Sequence, residues 1–182
     1  MVNKEKICPN KISGEMWLEA HRCAHEVGIK TTATMLYGHV ETIEERVDHL
    51  IKLRELQDVT NGFMAFIPLA FHSKNTAMES MGLSSTTGYE DLKVLAVSRL
   101  MLYNFPHIKA YWQMIGPKLA QLSQAFGVDD LDGTVVEEKI VHDAGAQTAH
   151  YLAKKTMINM IREAGREPVQ RDTLYNIIKG GD

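Results

Sequence analysis

A chain of 182 residues, 45% of them apolar, carries enough material for one domain with a sizeable core. A formal net charge of −3 and a pI near 6.2 provide no basic surface that would gather phosphates, and no apolar run reaches the roughly 18 to 20 residues that span a bilayer, so neither nucleic acid nor membrane is expected as a partner. The polar opening Met1-Val2-Asn3-Lys4-Glu5-Lys6 is no signal peptide, which points to the cytoplasm, and two cysteines, Cys8 and Cys23, are too few for a disulfide framework or for the thiolates of a cluster or zinc site.

In chain order, Ser13 is a candidate N-cap, and Met16, Trp17, Ala20, Cys23, Ala24 and Val27 recur at helical spacing until Gly28. Residues Ile29 to Tyr37 form a short run bounded by glycines, as expected of a buried strand. Thr42 and Glu45 have capping-box spacing ahead of a helix carrying Val47, Leu50, Ile51 and Leu53, which fades at Asn61-Gly62. Phe63 to Phe71 reads as a second strand, followed by a long polar loop from His72 to Thr87. Thr87 and Glu90 repeat the capping spacing before a third helix with Leu92, Leu95, Ala96, Arg99, Leu100 and Leu102. Ile108 to Ile115 reads as a third strand. Gly116-Pro117 opens a helix whose Leu119, Leu122, Ala125 and Phe126 share a face, and Leu131 to Val136 reads as a fourth strand. Helical stretches near Glu137 to Ala144 and Leu152 to Ala164 and a short piece at Asp172 to Ile178 complete the chain.

Alternation of helices and strands at these spacings predicts parallel βαβ units. A small doubly wound sheet would normally show a glycine-rich phosphate loop at its first strand, and none is present. The expected fold class is therefore α/β: about four parallel strands with alternating helices, the C-terminal half of a TIM-type (β/α)8 barrel, with residues 1–182 as a single partial barrel domain. In such barrels reactive groups sit on the loops that follow the strands. Those loops bring Tyr37, Gly38, His39, Glu41 and Thr42; then His72, Lys74, Asn75 and Thr76; then Trp112, Gln113, Gly116 and Lys118; then Asp132, Gly133, Thr134, Glu137 and Glu138. Each also has a structural reading: Glu41 and Thr42 complement a helix N-terminus, Asn75 shapes a turn, and the run Glu44, Glu45, Arg46, Asp48 is a solvated helix face. His21 and His25 stand at i and i+4, a spacing that can chelate a metal but lacks the Glu of a metalloprotease motif. His39, Glu41 and His72 could hold a divalent metal at a barrel mouth, which keeps a metal-dependent hydrolase open as an alternative.

The segments Thr34-Met35-Leu36-Tyr37-Gly38-His39-Val40-Glu41-Thr42, Phe66-Ile67-Pro68-Leu69-Ala70-Phe71-His72 with Asn75-Thr76, Asn104 to Trp112 with Gly116-Pro117-Lys118, and Asp130 to Ile140 together resemble the menaquinone-biosynthesis branch of the radical S-adenosylmethionine enzymes. Leu69-Ala70-Phe71-His72 and Leu131-Asp132-Gly133-Thr134 are most similar in wording to the aminofutalosine synthase family within it. The resemblance implies a transferase that uses S-adenosylmethionine and a [4Fe-4S] cluster to add a 5′-deoxyadenosyl radical to a small molecule, 3-[(1-carboxyvinyl)oxy]benzoate. It also implies cofactor binding by Tyr37, Gly38 and Glu41, since Gly38-x-x-Glu41 falls where the superfamily has Gly-x-Ile-x-Gly-x-x-Glu, with Thr34 and Leu36 in place of the first glycine and the isoleucine. Substrate binding is expected of His39, His72, Asn75 and Trp112, with no catalytic residue assigned.

The superfamily's Cys-x3-Cys-x2-Cys loop is absent from this chain, so the cluster ligands are missing and no metal is expected on it. The sequence reads as if it begins after about four strands of the barrel. A half barrel leaves strand edges and an interior face uncovered, so the expected partner is a second copy of the chain or an N-terminal half. The alternatives are an inactive chain, a folded remnant or a subunit awaiting that half.

Overall fold

The computed structural model describes residues 10–76, 78–133 and 151–180. Helix α1 (Gly14–Glu26) leads into β1 (Thr31–Tyr37), α2 (Ile43–Thr60) and β2 (Phe63–Ala70). A single 3-10 turn (Glu79–Met81) interrupts the loop to α3 (Gly88–Met101), and β3 (His107–Ala110), α4 (Trp112–Ile115), α5 (Pro117–Ser123) and β4 (Asp130–Leu131) follow. Helix α6 (Lys154–Glu163) and the strands β5 (Val169–Arg171) and β6 (Ile177–Gly180) close the described chain.

The four strands β1 to β4 form one sheet in the order β1-β2-β3-β4, and all three pairings are parallel. Each strand is therefore flanked by its sequence neighbours. A doubly wound sheet reverses its order at a switch point; a sheet that only advances is wound in one direction, as a barrel is. The architecture is a partial (β/α) barrel.

The register shows which face meets the helices. Ala33, Met35 and Tyr37 of β1 lie beside Phe66, Pro68 and Ala70 of β2, and Phe66 beside Ile108 of β3. Ala33, Tyr37, Phe66, Ala70 and Ile108 are all 2% exposed or less. They pack with Leu50 and Leu53 of α2 and Val94 and Leu95 of α3 in one hydrophobic cluster. At about 25 cal/mol per Å2 of apolar surface removed from water, each large side chain there contributes on the order of 1.5 to 3 kcal/mol. The intervening residues Thr32, Thr34 and Leu36 point to the opposite face, with Ile67 and Leu69 beside them. Leu36 stays 37% exposed on that face.

Capping chemistry sets the helix starts. The Ser13 hydroxyl accepts from the Met16 amide, and Thr42 and Glu45 make the full reciprocal capping box. Thr87 accepts from the Glu90 amide, while the Glu90 carboxylate pairs with Arg46 of α2.

Some expected elements differ. The third strand stops at Ala110 rather than Ile115, because Trp112–Ile115 coil into a helical turn: Met114 and Ile115 amides donate to the Tyr111 carbonyl and the Gly116 amide to that of Trp112. Gly116 permits this exit with φ of 83°, a region that a side chain disfavours. The face of α5 is also shifted. Leu122 and Phe126 are exposed, whereas Ala120, Ser123 and Gln124 are buried.

The fourth strand is described only for Asp130–Leu131; residues Thr134 to Val136, the helical stretch Glu137 to Ala144, and Cys8 lie outside the described residues. The C-terminal piece is an antiparallel hairpin of β5 and β6, anchored by Arg171 and the Tyr175 hydroxyl on Asp130 and by Tyr175 stacked on His107. Among the described residues no helix is long and apolar enough to cross a membrane.

Candidate functional site

Six of the seven binding residues expected above, Tyr37, Gly38, His39, Glu41, His72 and Asn75, lie at or after the C-terminal ends of β1 and β2. Gly38 follows β1 at φ of 86°, turning the chain back so that Glu41 reaches underneath it. One Glu41 oxygen accepts from the Gly38 amide at 2.6 Å and from Arg46 Nε at 2.7 Å, and the other accepts from the His39 amide at 2.9 Å. Burial pushes the Glu41 carboxyl up, but hydrogen bonds from the His39 ring and from the Gly38 and His39 amides outweigh it and hold the pKa down to about 2. Glu41 is thus a fixed anion at neutral pH.

The His39 ring is enclosed on several sides. Nδ1 lies 2.7 Å from Glu41 Oε2 and 2.7 Å from the Val40 amide, so it serves as donor to one or acceptor from the other according to its tautomer. Nε2 lies 3.2 Å from the Leu36 carbonyl, and the Phe71 ring meets the imidazole edge-on at 5.9 Å between centroids.

Arg46 is the residue that sequence reasoning placed wrongly. Its position in a charged run suggested solvent, yet its side chain is only 16% exposed. It spans Glu41 and Glu90, at 2.7 and 2.8 Å, with its guanidinium 5.4 Å from the centroid of the Tyr37 ring. Glu90 starts α3, and beside it Asp91 accepts from the buried Tyr37 hydroxyl at 2.7 Å and is also bonded by the Thr86 side chain. Burial raises the Asp91 carboxyl above its ordinary value, against the lowering effect of those two hydrogen bonds. The spacing of Thr87 and Glu90 flagged only a helix start; nothing local in the sequence points from α3 to a turn about 50 residues earlier.

After β2, His72 is half-buried with Nε2 3.3 Å from the Met114 carbonyl, which ties this loop to α4. Asn75 is exposed at φ of 57°, and its amide donates to Glu79. Trp112 is fully buried, its indole N–H donating to the Asp132 carbonyl at 3.2 Å. The ends of β1 and β2 therefore bring together Tyr37, Gly38, His39, Glu41 and His72, with Asn75 further out. Tyr37 and Trp112 are buried in the core. Thr134, Glu137 and Glu138 lie outside the described residues.

The described residues contain no group of three or more His, Cys, Asp and Glu side chains arranged to hold a metal ion. Cys23 is exposed on α1 and donates to Glu19. His21 and His25 serve packing: His21 Nδ1 and His25 Nε2 meet the Thr31 hydroxyl at 2.9 and 2.7 Å, and His25 Nδ1 meets that of Thr60 at 2.7 Å. A separate cleft of about 1480 Å3 runs between β4, α6 and the hairpin, with Lys109, Asp130 and Arg171 on its wall.

Residues 60–180 match the family model described as the CofH/MqnC C-terminal region. An aminodeoxyfutalosine synthase from Thermus thermophilus is 54% identical over 98% of this chain and 49% of its own length. A second, from Streptomyces coelicolor, is 44% identical over 97% of this chain and 48% of its own. A 5-amino-6-(D-ribitylamino)uracil–L-tyrosine 4-hydroxyphenyl transferase 2 from Methanosarcina mazei is 43% identical over 96% of this chain and 47% of its own. The chain spans about half the length of the curated relatives it matches.

Proposed function

The chain belongs to the CofH/MqnC family, matched through its C-terminal region, and from that premise we propose that it forms the C-terminal half of a radical S-adenosylmethionine transferase of the aminofutalosine synthase kind. The reaction is transfer of a 5′-deoxyadenosyl group to 3-[(1-carboxyvinyl)oxy]benzoate in menaquinone biosynthesis. The observation that carries this reading is 54% identity to an aminodeoxyfutalosine synthase across 98% of the chain, against 43% and 46% for the hydroxyphenyl transferases of Methanosarcina mazei and Methanoculleus marisnigri.

The two cysteines of the sequence cannot ligate a [4Fe-4S] cluster, so no step through that cluster is assigned to these residues. Reductive cleavage of the sulfonium belongs to an N-terminal half with its own three-cysteine loop, and the chain alone is inactive. A second copy covering the open sheet face would be the other way to close it. What this half supplies is one wall of the pocket. The turn at Gly38 to Glu41, with Tyr37 beneath it, receives the adenosyl portion. Its inward amides are already taken by Glu41, so a ligand meets the outer surface of the turn. His39, His72 and Asn75 face the benzoate, and Trp112 supports them from the core.

The metal-dependent hydrolase finds no support: Glu41 is committed to two amides and Arg46, and His72 to the Met114 carbonyl. The test is complementation. The chain is mixed with an N-terminal half taken from the Thermus relative, reconstituted anaerobically with iron and sulfide, and supplied with S-adenosylmethionine and the benzoate. The mixture is expected to form the adenosyl adduct by mass spectrometry, and the chain alone is not. Stoichiometric cluster binding by the chain alone, or adenosyl release without adduct in the mixture, overturns the proposal.

A further inference from the structure

We infer that Arg46 is a positioning residue for the turn at Gly38 to Glu41, acting with Glu90 and Asp91 of α3 to fix where that turn meets an adenosyl ligand. The identity of the ligand rests on the function proposed above; the brace itself rests on geometry alone.

Two arms run from the start of α3 to the turn. In the first, Glu90 holds one terminal nitrogen of Arg46 at 2.8 Å, Arg46 Nε holds Glu41 at 2.7 Å, and Glu41 holds the Gly38 and His39 amides at 2.6 and 2.9 Å. In the second, Asp91 holds the Tyr37 hydroxyl at 2.7 Å and the Thr86 side chain, and the Thr86 methyl occupies the space beside Gly38. Arg46 joins the arms, because its guanidinium also lies over the Tyr37 ring.

A planar guanidinium suits this place, since it can present N–H groups to two carboxylates in different directions. An ammonium at the end of a lysine could satisfy one of them. Glu41, with 8% of its side chain exposed, is held by the two amides and the His39 ring, and Arg46 adds the contact that ties it to α3. Loss of the brace should loosen the two amides and with them the surface offered to a ligand. Removing a group that orients a metal ligand typically costs about 10- to 100-fold in affinity or activity, and a loss of that order is expected for this brace.

The experiment has two readouts. In the chain as it stands, amide 1H–15N spectra of Arg46→Gln are expected to show the Gly38 and His39 amide protons moving upfield, while a substitution at exposed Glu44 (Glu44→Gln) leaves them in place. In the chain completed by an N-terminal half, equilibrium dialysis with S-adenosylmethionine is expected to show about a 10- to 100-fold weaker Kd for Arg46→Gln, with Arg46→Lys recovering less than half of the loss on a logarithmic scale. Unmoved amides in Arg46→Gln overturn the brace. Moved amides with an unchanged Kd overturn its bearing on the ligand. If the unaltered assembly binds no S-adenosylmethionine, the proposed function and the ligand half of the inference fall together, and the amide shifts alone still decide the brace.

Discussion

Replacing Gly38 by alanine tests the turn most directly. Two costs add at this position. A φ of 86° lies in the left-handed region, where a side chain costs about 1 to 2 kcal/mol. The new Cβ would also sit 2.2 Å from Thr86 Cγ2, well inside a normal carbon contact, so Thr86 must move, at an overpacking cost of roughly 1 to 3 kcal/mol. The sum is roughly 2 to 5 kcal/mol. Thr86→Ser removes the methyl and keeps the hydroxyl that bonds Asp91; the next atoms, Thr86 Cβ at 3.7 Å and the Phe71 amide at 4.0 Å, are ordinary contacts. In urea unfolding of the four proteins of the cycle, the double variant should therefore recover about 1 to 3 kcal/mol relative to the sum of the single changes, leaving the backbone cost in place. A Gly38→Ala loss under about 1 kcal/mol would show that neither the backbone nor the Thr86 methyl restricts this position, and a coupling energy near zero that the methyl does not.

Gly62→Ala should be comparably harmful for a different reason: its Cβ would fall 2.0 Å from the His25 ring, which is held between the Thr31 and Thr60 hydroxyls, so a loss of roughly 2 to 4 kcal/mol is expected, with His25→Ala in the same chain relieving much of it. Acid should loosen the same corner. Burial lowers the affinity of His21 and His25 for protons, reinforced by their mutual repulsion at His21 and by Lys30 at His25. The unfolded chain then binds more protons, so stability is present above a pH of about 6.5 and declines as pH falls below it. The urea midpoint should drop between pH about 7.5 and 5 by less in Thr31→Val/His25→Gln than in the parent, and an equal drop counts against the assignment. Asp130→Asn removes the charge shared by Arg171 and the Tyr175 hydroxyl, and hydrogen exchange of the β5–β6 amides should accelerate by about tenfold per 1.4 kcal/mol lost while β1 and β2 keep their protection.

Local chemistry made much of the chain legible from sequence. Ser13, Thr42 and Thr87 announce helix starts because a hydroxyl satisfies a free amide three residues on, an interaction contained within one turn. The runs at Thr31–Tyr37 and Phe63–Ala70 announce strands because β-branched and apolar residues fit a pleated, covered surface. The third strand was misread because Tyr111 to Ile115 are as apolar as a strand, and the helical turn is decided by Gly116 and by the partner found by the Trp112 indole in the Asp132 carbonyl. The antiparallel hairpin at the C-terminal end escaped for a similar reason: its anchor, Asp130, lies about 40 residues upstream.

The site divides along the same line. Gly38, His39, Glu41, His72 and Asn75 could be placed after the ends of β1 and β2 from sequence because strand ends are marked by the shift from apolar to polar residues. Arg46, Glu90 and Asp91 could not. A charged side chain on a helix is solvated unless something across the fold claims it, and what claims Arg46 is a pair of carboxylates from a preceding turn and a following helix. Residue type and spacing alone dictate the alternation of elements and the lack of thiolates for a cluster, whereas the single direction of winding shows only in the order of the strands. Which charges turn inward was decided only by tertiary structure, because an ion pair becomes fixed when packing brings distant segments within hydrogen-bond reach and removes the water between them.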